Sequence, residues 1–278
     1  MIVSGNALSV QHEPDFSKCN VKFSAPNTFT IFVIGNVKLW DGTIEYSTDR
    51  INWTEWDGTT ELTAGLLGEE YVLFFRGVDN TQVTGPTVQT DNGAWHFTGD
   101  NISVSGTIKD LLDYSKEPTV GEAAYRSLFG AKDPGHTNLV DASGLIISGP
   151  MSLNCCNGMF SRCKGLLYPP KILVCDLADK CFSAMFYQCA ALNTLPVINA
   201  TTFTASNCSS MFSGCTSIMI SSTQTGAYIN KYRIPYSEAV TGTTGTDSFI
   251  YMFNGTGGTF ANTAVINTVY YTSNNIDV

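Results

Sequence analysis

One phrase returns at a fixed interval along this 278-residue chain. It reads Met159-Phe160-x-x-Cys163-x-x-Leu166, then Met185-Phe186-x-x-Cys189-x-x-Leu192, then Met211-Phe212-x-x-Cys215-x-x-Ile218. The Met-Phe pairs and the cysteines both advance in steps of 26 residues. A second cysteine precedes each pair: Cys155 or Cys156, then Cys181, then Cys208. A unit of this length cannot bury its own apolar face, so successive units must stack. The spacing predicts a short solenoid whose core contains Met159, Phe160, Cys163, Met185, Phe186, Cys189, Met211, Phe212 and Cys215. Stacks of this kind present surfaces and rarely perform chemistry.

The apolar positions inside each unit fall three apart, as at Phe186, Cys189, Leu192 and Leu195. That step predicts a 3₁₀-like turn feeding a short strand, with the strands stacked in parallel along one face. Ser127-Leu128-Phe129-Gly130 reads as a degenerate first copy. Met252-Phe253-Asn254-Gly255 reads as a late one, 41 residues after Met211 instead of 26. The extra residues fall near 221–247, where Thr and Gly are frequent, and insertions of this kind form loops on one face.

Residues 1–108 are different in character. The segments 21–24, 29–34, 43–47, 71–77, 95–97 and 102–104 are rich in β-branched and aromatic residues. Turn signals separate them, including Asp41-Gly42, Asp57-Gly58, Asp79-Asn80 and Asp91-Asn92-Gly93. That spacing predicts a β-sandwich. The fold expected is therefore mostly β with short helical turns. Four parts are predicted: the sandwich over 1–108, a connector and cap over 109–130, the repeats over 131–262, and a β tail over 263–278. The tail either ends the stack or reaches a neighbouring subunit.

Composition narrows the function. Hydrophobic residues make up 43%, enough for a real core, while charged residues make up only 14%, about half the usual share. The net charge is −9 and no basic run is present, so nucleic acid is not an expected partner. No stretch reaches membrane-spanning length, so membrane insertion is not expected. The first residues, MIVSGNALSVQHEPDF, lack the form of a secretory leader. An extracellular type of surface without that leader is the combination expected of a particle protein released by lysis.

Nine cysteines are present, eight of them between positions 155 and 215. Their repeat-locked positions read as a column of free thiols acting as small apolar groups, with Cys155 and Cys156 the place to look for an exception. No Cys-x-x-Cys occurs, and His12, His96 and His136 lie in separate segments, so no metal or other cofactor is expected. The nearest His–Cys combination is His136 with Cys155. The glycine-rich stretches at 242–247 and 255–258 lack the residues of a phosphate loop. A pair of opposed carboxylates for glycoside hydrolysis would have to come from Glu45, Glu55 and Asp57. Trp40, Trp53 and Trp56 are the candidate binding residues: exposed, they form a stacking platform for sugars or a partner; buried, they are sandwich core.

The phrase Met-Phe-x-x-Cys-x-x-Leu, with Leu195-Pro196 after it and Cys181 or Cys208 before it, resembles the Bacteroides surface-protein (BspA-like) type of leucine-rich repeat. Ile44-Glu45-Tyr46-Ser47-Thr48-Asp49, Trp53, Phe75-Arg76-Gly77 and Val104-Ser105-Gly106 resemble the β-domain that precedes such repeats. The likeness spans roughly residues 40–255 and breaks after Ser217, where Ile218-Met219-Ile220 replaces the Leu and Pro. Such arrangements occur in gut bacteria and their phages. The resemblance implies adhesion or protein binding and no catalysis. The expectation is a non-enzymatic virion structural or attachment protein: a capsid decoration, fibre or tail component, partnered by other virion proteins and by copies of itself. The alternative is a bacterial cell-surface adhesin for a host protein or glycan.

Overall fold

The computed structural model of the chain describes residues 20–88, 92–132, 135–174 and 176–277. Strands dominate, and among the described residues the longest helical piece is a 3₁₀ turn at Ile108–Leu111. The N-terminal strands are β1 (Val21–Ala25), β2 (Thr30–Val33), β3 (Thr43–Ser47), β4 (Thr54–Glu55), β5 (Leu62–Thr63), β6 (Gly65–Leu67), β7 (Glu70–Val78), β8 (Trp95–Thr98) and β9 (Ile102–Thr107). They continue into β10 (Leu139–Ile147), β11 (Lys171–Ile172), β12 (Thr194–Pro196), β13 (Thr202–Phe203) and β14 (Met219–Ser221). The last five are β15 (Asn230–Arg233), β16 (Thr243–Thr244), β17 (Gly257–Gly258), β18 (Val269–Thr272) and β19 (Asn275–Asp277).

One eight-stranded sheet runs β11-β10-β9-β1-β7-β3-β4, with β6 also on β7. A three-stranded sheet, β5-β2-β8, faces it. Alternation explains the pairing: β1 buries Val21, Phe23 and Ala25 and leaves Lys22 and Ser24 half-exposed. The rings of Phe23 and Phe97 meet across the two sheets at 5.5 Å, and those of Phe75 and Trp95 at 5.0 Å. The expected boundary at residue 108 falls inside the large sheet. β9 pairs in parallel with β10, so the first strand of the repeat region covers an edge that would otherwise stand open. The connector is joined as tightly, with Asn80 N donating to Leu112 O and Tyr114 N to Gly77 O. Gly77 is required there, since a Cβ would sit 1.9 Å from Leu111 O.

The repeated phrase builds a ladder of five rungs, at residues 122–131, 153–163, 179–189, 205–215 and 246–256. Every second N–H of a rung donates to the next one. Asn154, Cys156, Gly158, Phe160 and Arg162 donate to the carbonyls of Asp179, Cys181, Ser183, Met185 and Tyr187. Residues 180–188 donate in the same way to 205–213, and residues 206–214 to 246–254. The intervening residues donate three positions back within their own rung, as Met159 N does to Cys156 O. Every fourth residue has a positive φ: Asn154, Gly158 and Arg162, then Lys180, Ala184 and Gln188. That reversal stops the turns from winding into the expected 3₁₀ helix. It also sends side chains inward and outward in pairs. Cys155, Cys156, Met159 and Phe160 are buried, whereas Ser161 and Arg162 are half-exposed.

The inward phenyl groups form one column. Phe129, Phe160, Phe186, Phe212 and Phe253 follow one another at 5.4, 5.7, 5.6 and 5.8 Å, and the last three intervals are near-parallel stacks. Residues 122–131 are therefore a full first rung. The repeat cysteines do more than fill space. Cys163 Sγ donates to Phe129 O at 3.1 Å, Cys189 Sγ to Phe160 O at 3.0 Å and Cys215 Sγ to Phe186 O at 2.9 Å. Each thiol satisfies a buried carbonyl of the preceding rung. Phe160 O also accepts from Cys163 N at 3.0 Å, so replacing Cys189 with Ala removes the second of its two bonds and should cost about 1 kcal/mol. Urea unfolding of Cys189→Ala and Cys189→Ser checks this; the hydroxyl donor of Ser should recover part of the loss.

The strands that follow the rungs do not form one continuous parallel sheet. β11 pairs with β10, but β12 pairs with β19 and β14 with β17 and β18. The tail thus pairs with its own chain through β18 and β19. Asn274, between β18 and β19, joins the two segments it separates: its Nδ2 donates to Asn193 O at 2.9 Å and to Ser217 O at 3.0 Å. The inserted residues run beside the preceding coil, with Tyr236 N donating to Ile198 O, Thr243 N to Thr201 O and Gly245 N to Phe203 O.

Candidate functional site

The fold collects the chain's reactive side chains inside and leaves grooves outside. His136 and Cys163 come together, with Cys163 Sγ 3.5 Å from His136 Nε2. The expected partner Cys155 is therefore replaced by Cys163, two cysteines further along, because His136 sits beside the end of the second rung through its bridge with Cys163. The thiol is fully buried and already donates to Phe129 O. Burial pushes it far above its ordinary range, so it stays protonated and un-nucleophilic. His136 Nε2 also lies 3.2 Å from Phe129 O, and burial lowers the ring to about 4. The pair is a dry hydrogen-bonding junction between rungs; it lacks the solvent access and thiolate character of a nucleophilic dyad.

His136 gives the fold a pH dependence, and buried Asp110 opposes it. The ordinary imidazole value is near 6.5. Between 6.5 and about 4 the unfolded chain binds a proton that folded His136 refuses, so acidification removes stability. Asp110 is raised to about 6, chiefly by burial. The folded chain takes up that proton where the unfolded carboxyl, near 3.8, does not, so acidification adds stability. The two offset each other in one window. Burial lowers His96 as well, so Asp110→Asn should deepen the loss between pH 7 and pH 4.5 by on the order of 2 kcal/mol relative to the parent chain. Urea titrations at the two pH values measure it.

Cys155, Cys156 and Cys181 form a second buried group. All seven described cysteines are free thiols. Hydrogen bonding and burial hold Cys156 well above its usual range, burial raises Cys181, and the bond from Cys156 lowers Cys155. Among the described residues no group of three or more His, Cys, Asp or Glu side chains is placed to hold a metal ion. No helix among them is long and apolar enough to cross a membrane. His12, Cys19, Asp91 and Cys175 lie outside the described residues.

The tryptophan platform does not form. Trp40 is 3% and Trp56 1% exposed, packed together at 5.2 Å and against Trp95 at 6.3 and 5.0 Å. The gap between the two sheets needs their volume, and Trp56 Nε1 is held by Thr60 O at 2.8 Å. Trp53 alone is half-exposed. The Arg76 guanidinium lies over its ring at 4.1 Å and over Tyr114 at 4.4 Å, tied to Glu45 by a 2.6 Å ion pair. Glu45 therefore serves this stack, while Glu55 and Asp57 are exposed, with Asp57 bonded to the N–H groups of Thr59 and Thr60.

The surface features that composition did not reveal lie beside the tail and the insertion. Where β11 and β12 part, Pro170, Leu173, Asn199, Tyr236 and Asp277 enclose a cleft of about 150 Å³. Tyr236 also walls a larger groove with Asn230, Lys231 and Asn275. Leu173, 62% exposed, continues the surface toward Met151 and Leu177. This mixture of one aromatic, apolar floor and planar amides suits binding of a ligand or partner better than bond cleavage. The 26-residue signal does not reveal it, because it arises where the repeat is interrupted. No family model, no curated protein and no solved structure matches the chain.

Proposed function

We propose that this chain is a non-enzymatic structural or attachment protein of a phage particle, in which a β-sandwich and a short BspA-like leucine-rich-repeat solenoid present a binding surface. In this reading it decorates the capsid or belongs to a fibre or tail, and its partners are other virion proteins and further copies of itself. The observation that supports it is the phenyl column running from Phe129 to Phe253. It is continuous with the core of the facing sheets through Phe23 and Phe129 at 5.7 Å. Such a core makes a stiff scaffold and uses the thiols and imidazoles for packing. The low-charge, net-negative surface suits contact with protein. The test is quantitative mass spectrometry of particles purified from a lysate that contains the protein. A fixed copy number per particle supports the proposal, and absence from purified particles overturns it.

A cell-surface adhesin is the second reading, favoured by the Tyr236 groove. Asn199, Asn230, Asn275 and Asp277 surround that ring with the donors and acceptors that sugar hydroxyls use. A glycan array probed with the parent chain and with Tyr236→Ala separates the two readings.

A further inference from the structure

The ladder has a direction, and its last rung leaves donors over. Each rung receives N–H groups from the one before and gives its own to the next. In the fourth rung the donors are Ser206, Cys208, Ser210, Phe212 and Gly214. Matching the positive-φ residues Ser206, Ser210 and Gly214 with Asp247, Tyr251 and Gly255 sets the register of the fifth. Tyr251 N finds Thr263 Oγ1 and Phe253 N finds Asn262 O, each at 3.0 Å. The covering segment then turns aside. Among the described residues neither Asp247 N nor Phe249 N has an acceptor. Beside them lies a slot of about 460 Å³, bounded by residues 244–250 on one side and 263–266 on the other. Val265, on its rim, is 58% exposed.

We propose that this slot takes an extended segment of a partner polypeptide as a sixth rung. The segment's backbone carbonyls accept from Asp247 N and Phe249 N, and a basic side chain of the segment faces Asp247, the one charged residue lining the slot. Two observations argue against a second copy as occupant. The acceptor edge of the first rung is already used: Ala124 O by Val83 N, Arg126 O by Thr84 Oγ1, Leu128 O by Trp95 N and Gly130 O by His96 Nε2. Two chains of charge −9 also repel each other, whereas a basic segment is attracted. The assignment stands on ladder geometry and does not depend on the particle or the cell surface being the protein's location.

The experiment selects binders from a displayed library of linear peptides on the full chain, then reads amide hydrogen exchange. Enriched peptides should carry Lys or Arg and slow exchange at Asp247 and Phe249 by about tenfold or more. Asp247→Asn, which keeps a residue tolerant of positive φ, should lose the basic preference. Val265→Arg, at an exposed position, should lower binding about tenfold by filling the mouth of the slot. The proposal is overturned if enrichment is equal on Val265→Arg, if protection appears elsewhere, or if self-association already protects both amides in the free chain.

Discussion

Phe186→Ala should lower stability by about 4–5 kcal/mol, the upper part of the range for a buried phenylalanine. Phe186 is fully buried and lies between two stacked rings, 5.7 Å from Phe160 and 5.6 Å from Phe212. Removing it opens a cavity and also deprives both neighbours of an aromatic partner, each pair being worth about 0.5–1.5 kcal/mol beyond area. The core is a single cluster spanning both halves of the chain. The loss should therefore appear as one cooperative transition shifted by roughly 10 °C, not as a separate melting step of the repeats. Phe186→Leu keeps most of the apolar volume and should recover about half of the cost. Calorimetry of the three proteins checks both size and cooperativity. A change under about 1 kcal/mol would mean that the column carries little of the stability.

Asn274→Ala should cost about 3 kcal/mol, although it removes only a small polar side chain. The Asn274 amide accepts from Met219 N at 2.6 Å and from Thr272 Oγ1 at 3.0 Å, while donating to Asn193 O and Ser217 O. Its loss leaves several interior groups unpaired at once, and such groups cost far more than the net worth of one bond. Asn274→Asp is the sharper variant. It keeps the shape and the acceptor but sets a carboxylate against two carbonyls, so it should cost at least as much as Ala. The tail should then detach, and hydrogen exchange in 269–277 should rise ahead of the rest of the chain.

The rungs were legible because their spacing is a physical requirement. Phe160, Phe186 and Phe212 stack only if the chain returns to the same place after each interval, and the sequence carries that interval openly. Alternation likewise marked β3, and β-branched and aromatic residues marked β1 and β7. The backbone of the rung was not legible. Positive φ at Lys180, Ala184 and Gln188 is imposed by the hydrogen bonds between rungs, against the preference of those residues. The cysteines showed as apolar spacers, since the acceptors of their thiols lie in another rung. Trp40 and Trp56 could not be assigned to surface or core until the second sheet was placed over them. The wedge made by β18 and β19 depends on Asn274 meeting groups more than fifty positions away from it in Ser217 and Met219, and local pattern carries no trace of such contacts. The grooves beside Tyr236 follow from that wedge and were hidden with it.

The central claim is that residues 26 apart stand one rung apart along a single hydrogen-bonded ladder. Ser183 and Ser209 are half-exposed neighbours in adjacent rungs, where Ala184 N donates to Ser209 O at 2.8 Å. Ser161 and Ser213 occupy matching positions of the second and fourth rungs, with the third rung between them. Cysteines placed at 183 and 209 should cross-link under mild oxidation and add about 3 kcal/mol, as closure of a loop of this length implies. Cysteines placed at 161 and 213 should not, because two rung spacings, about 10 Å, exceed what a disulfide spans. Cross-linking of the second pair in place of the first would contradict the ladder itself.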